Sequence, residues 1–195
     1  MKGLIKLGII AAFVFIVGGL IYSTYIGLVD TQEDSREKWS QVENVYQRRA
    51  DLLPNYVKVV KSYAAHEKEL FTAVADARAK LGSVNISADQ LTDENLQKFE
   101  KAQSQISNVF SRLLMIKESY PELKANENFL KLQDELAGTE NRIAVERKRY
   151  NTTATVYNKK LRRPMAGLVK GFGDFDRMPL FKADAGSNKA PDLDL

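Results

Sequence analysis

The sequence contains no cysteine and a single histidine, His66, among its 195 residues. Without a thiol the chain forms no disulfide, thiolate-bound zinc, iron–sulfur cluster, catalytic thiol or lipid-modified cysteine anchor. With one imidazole there is no H-E-x-x-H metal site. Any Ser-His-acid triad would have to run through His66, yet no serine lies in a G-x-S-x-G setting. A helical histidine beside Glu67 and Glu69 is most simply a solvated side chain. Gly171-Phe172-Gly173 lacks the further glycine, the lysine and the preceding strand of a phosphate-binding loop. Adjacent carboxylates such as Asp134 and Glu135 point to different sectors of a helix, so no acid–base pair emerges from them. Period-two alternation is nowhere long enough for a strand. The expectation is a non-enzymatic, all-α chain with no catalytic residue, metal or cofactor, of a length that allows one domain.

One thing the chain has in excess is a long apolar run. Between Leu7 and Val29 no charged residue occurs, and about 20 such residues cross a hydrocarbon core of roughly 30 Å. Lys2 and Lys6 precede the run, Asp30, Glu33 and Asp34 follow it, and Tyr22 and Tyr25 sit where interfacial aromatics would. A cleaved signal peptide is the competing reading, but neither Ser23-Thr24-Tyr25 nor Gly27-Leu28-Val29 makes a good small-x-small site. A retained single-pass anchor in a bacterial inner membrane is expected, with the N-terminus cytoplasmic and the rest outside. Gly19, Ser23 and Gly27 recur every four residues, a spacing through which two such helices can associate into a homo-oligomer.

Beyond the run, Asp30-Thr31-Gln32-Glu33 reads as an N-cap opening a new helix. Apolar residues then keep a heptad: Trp39, Tyr46, Leu53, Val60, Val74 and Leu81 on one line, Val42, Tyr56, Tyr63, Leu70 and Ala77 on the other. The phase is unchanged across Pro54, which predicts one helix, kinked there, from Asp30 to Leu81. Gly82 is a natural end. A second helix carries Phe99, Ala102, Ile106, Val109, Leu113 and Ile116 and stops before Pro121. A third carries Phe129, Leu132, Leu136, Ile143, Tyr150 and Tyr157 and stops at Arg162-Arg163-Pro164. Short connections imply antiparallel neighbours with coiled-coil-like seams. The expected fold is an N-terminal transmembrane helix followed by a long antiparallel bundle of three to four helices, the first soluble helix kinked or broken near Pro54. The expected divisions are an anchor over residues 1–29, a bundle over 30–166 and a Gly- and Pro-containing tail over 167–195, disordered toward its end. Aromatic residues in Met165 to Phe181 either pack back on the bundle or stay available to a partner.

Polar residues intrude on the seams. Arg49 takes a seam position within a polar stretch that also holds Arg48, Asp51 and Asn55. Glu146 sits in the third helix's seam with Glu140 and Asn141 nearby. Tyr150-Asn151 and Tyr157-Asn158 repeat seven residues apart on one stripe. A buried charge is costly unless paired, so Arg49 is expected to meet Glu146 or another carboxylate between helices. These eleven residues form either a register-fixing network or a polar groove for a small ligand.

The stretch Gln47-Arg48-Arg49-Ala50-Asp51-Leu52-Leu53-Pro54-Asn55, continuing through Val60-Lys61-Ser62-Tyr63-Ala64-Ala65-His66-Glu67 to Ala75-Asp76-Ala77-Arg78, resembles the LemA family. So does Leu132-Gln133-Asp134-Glu135-Leu136-Ala137-Gly138-Thr139-Glu140-Asn141-Arg142-Ile143, with Arg149-Tyr150-Asn151 and Val156-Tyr157-Asn158 after it. The resemblance covers Met1 to Phe181. It implies a bacterial single-pass membrane protein with a helical bundle, usually of four helices, and no catalytic residues to carry over. Four helices would require a turn at Leu53-Pro54, against the heptad reading.

The formal charge of +4 narrows on division: without Lys2 and Lys6, 27 basic residues face 25 acidic ones. Arg142 to Arg163 alone carries +7, counting eight basic residues against Glu146. Basic residues at a helix C-terminus suit the macrodipole and an anionic lipid surface, which speaks against nucleic acid as the partner. The partners expected are the membrane and another protein.

Overall fold

The computed structural model describes residues 2–84 and 86–182. Helix is the only regular secondary structure among them. The expected disorder of Ala183 to Leu195 lies outside the described residues. Six α-helices follow in order: α1 Lys2–Lys61, α2 Lys68–Gly82, α3 Asp93–Met115, α4 Pro121–Lys124, α5 Glu127–Leu161 and α6 Pro164–Val169, with single 3-10 turns before α3, before α4 and after α6.

Helix α1 runs unbroken through Asp30, where a new helix was expected to begin, and through Pro54, where a kink or break was expected. At 60 residues it extends about 90 Å. The anticipated N-cap at Asp30 is absent: the helix continues through it, and the Thr31 hydroxyl donates back to the Gly27 carbonyl at 2.8 Å. Pro54 lies inside the helix, itself exposed, between Leu53 and Tyr56, which are both fully buried. A proline there costs about 3 kcal/mol, and burial of these two large side chains offsets a cost of that size.

The reversal instead falls at Ser62–Glu67, within what the heptad reads as one helix. No glycine or proline marks it. Ala64 is buried in the bend and its N–H donates to the Val60 carbonyl at 2.8 Å. Distant residues hold it: Asn126 donates to the Tyr63 hydroxyl at 2.9 Å, and the Tyr120 hydroxyl donates to Glu67 at 3.3 Å. The phase survives because Leu70, Val74 and Ala77 stay buried on α2 while packing from the opposite direction. The outcome is four main helices and an intact helix at Pro54.

The other starts follow ordinary capping chemistry. Thr92 accepts from the Asn95 N–H to open α3, with Asp93 and Glu94 in its first turn. Asn126 does the same for α5 through the Phe129 N–H, and Pro121 and Pro164 lead α4 and α6. Thus α1 runs out, α2 returns, α3 runs out again, and α5 returns packed along α1. That even count brings the basic end of α5 back to the apolar helix, where the Lys160 ammonium donates to the Gly27 carbonyl at 3.0 Å. Gly27, half-buried, thus has the Lys160 side chain beside it within the same chain.

Two apolar cores result. The distal one gathers Leu53, Tyr56, Val60, Leu70, Ile106, Leu113 and Phe129 from α1, α2, α3 and α5. The proximal one surrounds Trp39, Phe99, Tyr150 and Tyr157. Helix α2, 15 residues long, ends at Gly82 and does not reach it. Its place is taken by Ile86, whose carbonyl accepts from the Trp39 indole at 3.0 Å, and by the irregular segment after α6, with Phe175, Met178 and Phe181 buried.

Candidate functional site

Between the two cores lies a polar layer. Arg49 is 3% exposed, and its guanidinium donates to Glu140 at 3.0 Å, to Ser107 at 3.2 Å, to the Gln103 carbonyl at 3.0 Å and to the Gln103 side chain. It also stands 5.0 Å over the Tyr46 ring. Four acceptors from α3 and α5 and one aromatic face make this an enclosed cation whose position is fixed from three helices.

The expected partner Glu146 is not there. The antiparallel register that sets Tyr150 against Trp39 sets Glu140, ten residues earlier, against Arg49, ten residues later. Glu146 instead pairs with Arg149 at 2.7 Å within its own helix. The remaining members of the set divide up. Arg48 pairs with Glu135 at 3.1 Å on the surface, Asp51 accepts from Gln47 at 3.0 Å, and Asn141 is exposed. Asp51 lines a cleft of about 340 Å³ with Arg78 and Gln103, whereas Asn55 lines a separate one of about 470 Å³ with Tyr63 and Asn126.

The two Tyr-Asn pairs converge, and what they hold is the chain itself. Asn151 donates to the Phe181 carbonyl and accepts from the Phe181 N–H, both at 2.9 Å. Asn158 does the same to Met178 at 2.8 and 3.0 Å. The Tyr150 hydroxyl donates to the Pro179 carbonyl at 2.8 Å. Seven residues of helix rise about 10.5 Å, and three residues of a drawn-out chain span about 10 Å, so the heptad spacing of the asparagines matches the step from Met178 to Phe181 in the irregular segment 173–182, the strap. Each carboxamide supplies one donor and one acceptor, the complement of one backbone residue, so the clamp holds main chain regardless of side chain. Gln32 and Arg147 extend it, donating to the carbonyls of Asp174 and Lys182 at 2.8 and 3.2 Å.

The strap's side chains complete the fit. Phe181 stacks on Trp39 at 5.8 Å and meets Tyr150 edge-on, while the Arg147 guanidinium lies 4.6 Å over its ring. Phe175 contacts Tyr25 edge-on at 5.7 Å. Tyr150 and Tyr157 are fully covered, and burial pushes both phenols up, Tyr157 to about 12 with Asp176 adding to the shift. Unlike Tyr150, the Tyr157 hydroxyl has no hydrogen-bond partner among the described residues.

No cluster of three or more acidic or histidine side chains suited to a metal occurs among the described residues, and His66 is exposed in the reversal. Sequence reasoning missed Gln103 and Ser107, which read as ordinary α3 residues, and Arg147. That arginine precedes Asn151 by one helical turn, a spacing that signals a shared face.

The LemA family's sequence profile matches residues 38–195. Among individual proteins, the chain is 26% identical over 176 residues to magnetosome protein MamQ 2 of Paramagnetospirillum magneticum, covering 81% of this chain and 64% of that one. It is 28% identical over 151 residues to magnetosome protein MamQ of Magnetospirillum gryphiswaldense, covering 69% and 56%. It is 26% identical over 175 residues to protein LemA of Metamycoplasma hominis, covering 88% and 76%. The chain thus spans less than two thirds of the length of the magnetosome proteins that it resembles.

Proposed function

The chain belongs to the LemA family, and from that premise we propose that it is a non-enzymatic, membrane-anchored interaction or scaffold protein of the bacterial cell envelope. One observation carries the reading: the polar stripe that a small ligand would use is filled by residues 178–182 of the chain itself. With the strap's backbone already held on Asn151 and Asn158, this stripe is occupied, and the bundle meets a partner through its outer surface. The first part of α1, long and apolar enough to cross a bilayer, with its apolar window wholly uncovered, supports the anchor. The two lysines before it support a cytoplasmic N-terminus with the bundle outside.

Single cysteines placed at exposed Val145 or Val156 of this cysteine-free chain test both statements. In intact cells an impermeant thiol reagent is expected to label them, and labelling only after lysis would reverse the orientation. In native membranes, crosslinkers at the same positions are expected to trap the bundle with another protein. Recovery of monomer alone, under conditions that preserve known complexes, would count against a scaffold. The rival reading, a sensor that takes a small ligand into the Tyr150–Asn158 groove, requires the strap to leave.

A further inference from the structure

Where α5 ends, the chain turns into α6 and the 3-10 turn Lys170–Phe172, and α6 packs on the last turns of the apolar run of α1. Ala166 and Val169 are fully buried on that side. The opposite side carries Leu168, 58% exposed, and Phe172, 73% exposed. Close to them in sequence are Lys159, Lys160, Arg162, Arg163 and Lys170, and no acidic residue occurs from Ala154 to Gly173. Among the described residues, Lys159, Arg162, Arg163 and Lys170 form no ion pair, although ten ion pairs occur elsewhere. A cleft of about 550 Å³ lies between the two helices, lined by Ser23, Thr24, Gly27, Lys160, Arg163 and Met165 among others.

The height of this corner follows from helix geometry. Twenty residues counted from Leu7 end at Ile26, so a span of about 30 Å leaves Ser23 to Leu28 astride the edge of the hydrocarbon. Exposed Leu168 and Phe172 then face the acyl boundary, and the cations beside them face the headgroup layer. Exposed apolar groups next to basic residues that lack carboxylate partners match an anionic bilayer surface in both polarity and charge.

We infer that α6 and its 3-10 turn form a second membrane contact, a foot that inserts Leu168 and Phe172 beside the anchor while Arg162 and Arg163 bind the phosphate of an anionic phospholipid. The inference rests on the reading that α1 spans the bilayer. The test uses the full chain in lipid nanodiscs, with an environment-sensitive fluorophore on single cysteines at Phe13 in the span, Leu168 or Phe172 in the foot, and Met115 at the distal end.

Brominated lipids are expected to quench Phe13, Leu168 and Phe172 labels and to leave the Met115 label unchanged. Brominated phosphatidylglycerol is expected to quench the foot labels more than brominated phosphatidylcholine at equal mole fraction. Arg162→Gln with Arg163→Gln is expected to lower that preference by up to about fivefold per arginine, with quenching at Phe13 retained. Quenching at Phe13 but not at Leu168 or Phe172 overturns the foot and leaves the anchor standing, whereas no quenching at Phe13 overturns both. Equal quenching by the two lipids rejects the headgroup site. Loss of the preference in inorganic phosphate, but not in potassium chloride of the same ionic strength, assigns the cleft to a free anion and rejects the lipid.

Discussion

The distal and proximal halves of the bundle solve the same packing problem with different parts. Distally, α1, α2, α3 and α5 all contribute, and aromatic contacts such as Tyr56 with Phe110 and Phe129 join helix to helix. Proximally, α2 is missing and an irregular strap replaces it, seated on α1 and α5 by hydrogen bonds from side chains to its backbone. A helix satisfies its own main chain, whereas a strap arrives with unpaired N–H and C=O groups that must find partners when buried. Whereas the distal polar pairs, Asn126–Tyr63 and Tyr120–Glu67, sit at the turns, the proximal half carries Asn151, Asn158 and the Tyr150 hydroxyl along its core. These polar groups are the cost of closing a core with non-helical chain.

The largest effect is expected from emptying the proximal core. Trp39→Ala removes the platform under Phe181 and Tyr150 together with the bond to Ile86, and is expected to cost about 3–5 kcal/mol in denaturant unfolding. Limited proteolysis should then cut the strap before the distal helices. Equal early cleavage in both halves would erase the distinction between them.

Next comes the clamp. Asn151→Ala or Asn158→Ala each strips two hydrogen bonds from one strap residue and is expected to cost about 1–3 kcal/mol. Asn→Asp at the same sites keeps the acceptor but sets a carboxylate oxygen against the strap carbonyl, so a loss at least as large as that of Ala is expected on the same unfolding curve. An Asp variant as stable as the unchanged chain would contradict the donor bond.

The layer between the halves should show a smaller coupling. A double-mutant cycle of Arg49→Met with Glu140→Gln is expected to give about 1 kcal/mol, kept low because Glu140 is nearly half exposed. The same cycle with Glu146→Gln should give no coupling, and the reverse result would displace the register that aligns Trp39 with Tyr150.

The smallest effects separate two buried tyrosines. Tyr150→Phe loses the bond to Pro179 and should cost about 1 kcal/mol, whereas Tyr157→Phe removes an unpartnered hydroxyl and should leave thermal stability unchanged or slightly raised. With buried Tyr46 and Tyr56, their ionisation contributes to the alkaline limit. Burial raises the folded pKa above the ordinary value of 10, so this stability is fully present below pH 10 and is lost as pH rises through about 12 for Tyr157. Tyr157→Phe is therefore expected to move the alkaline unfolding midpoint upward, which a pH titration of helicity measures. A downward move would contradict the burial of the phenol.

Much of the helical core was legible in the sequence because a 3.5-residue repeat survives translation into packing. Trp39, Tyr46, Leu53 and Tyr56 on α1, and Tyr150 and Tyr157 on α5, stand on the buried faces that the heptad assigns them. The reversal at Ser62–Glu67 was not legible, since the Tyr63–Asn126 and Tyr120–Glu67 bonds that hold it span more than fifty residues. Phase continuity across it was equally compatible with one straight helix. The Tyr-Asn repeat announced a polar stripe but not its occupant, because a strap held through its backbone leaves no side-chain pattern. Arg49 showed that it needed an acceptor, and only the antiparallel register between α1 and α5 selects Glu140.

Hydrogen–deuterium exchange of the full chain tests the central claim, that the strap completes the proximal half through the two asparagines. In Asn151→Ala combined with Asn158→Ala, the amides of Met178 and Phe181 and the proximal turns of α1 and α5 around Trp39 and Tyr150 should lose protection. The distal turns around Tyr56 and Phe129 should keep theirs. Protection lost equally from both halves, or retained at Met178 and Phe181, would contradict it.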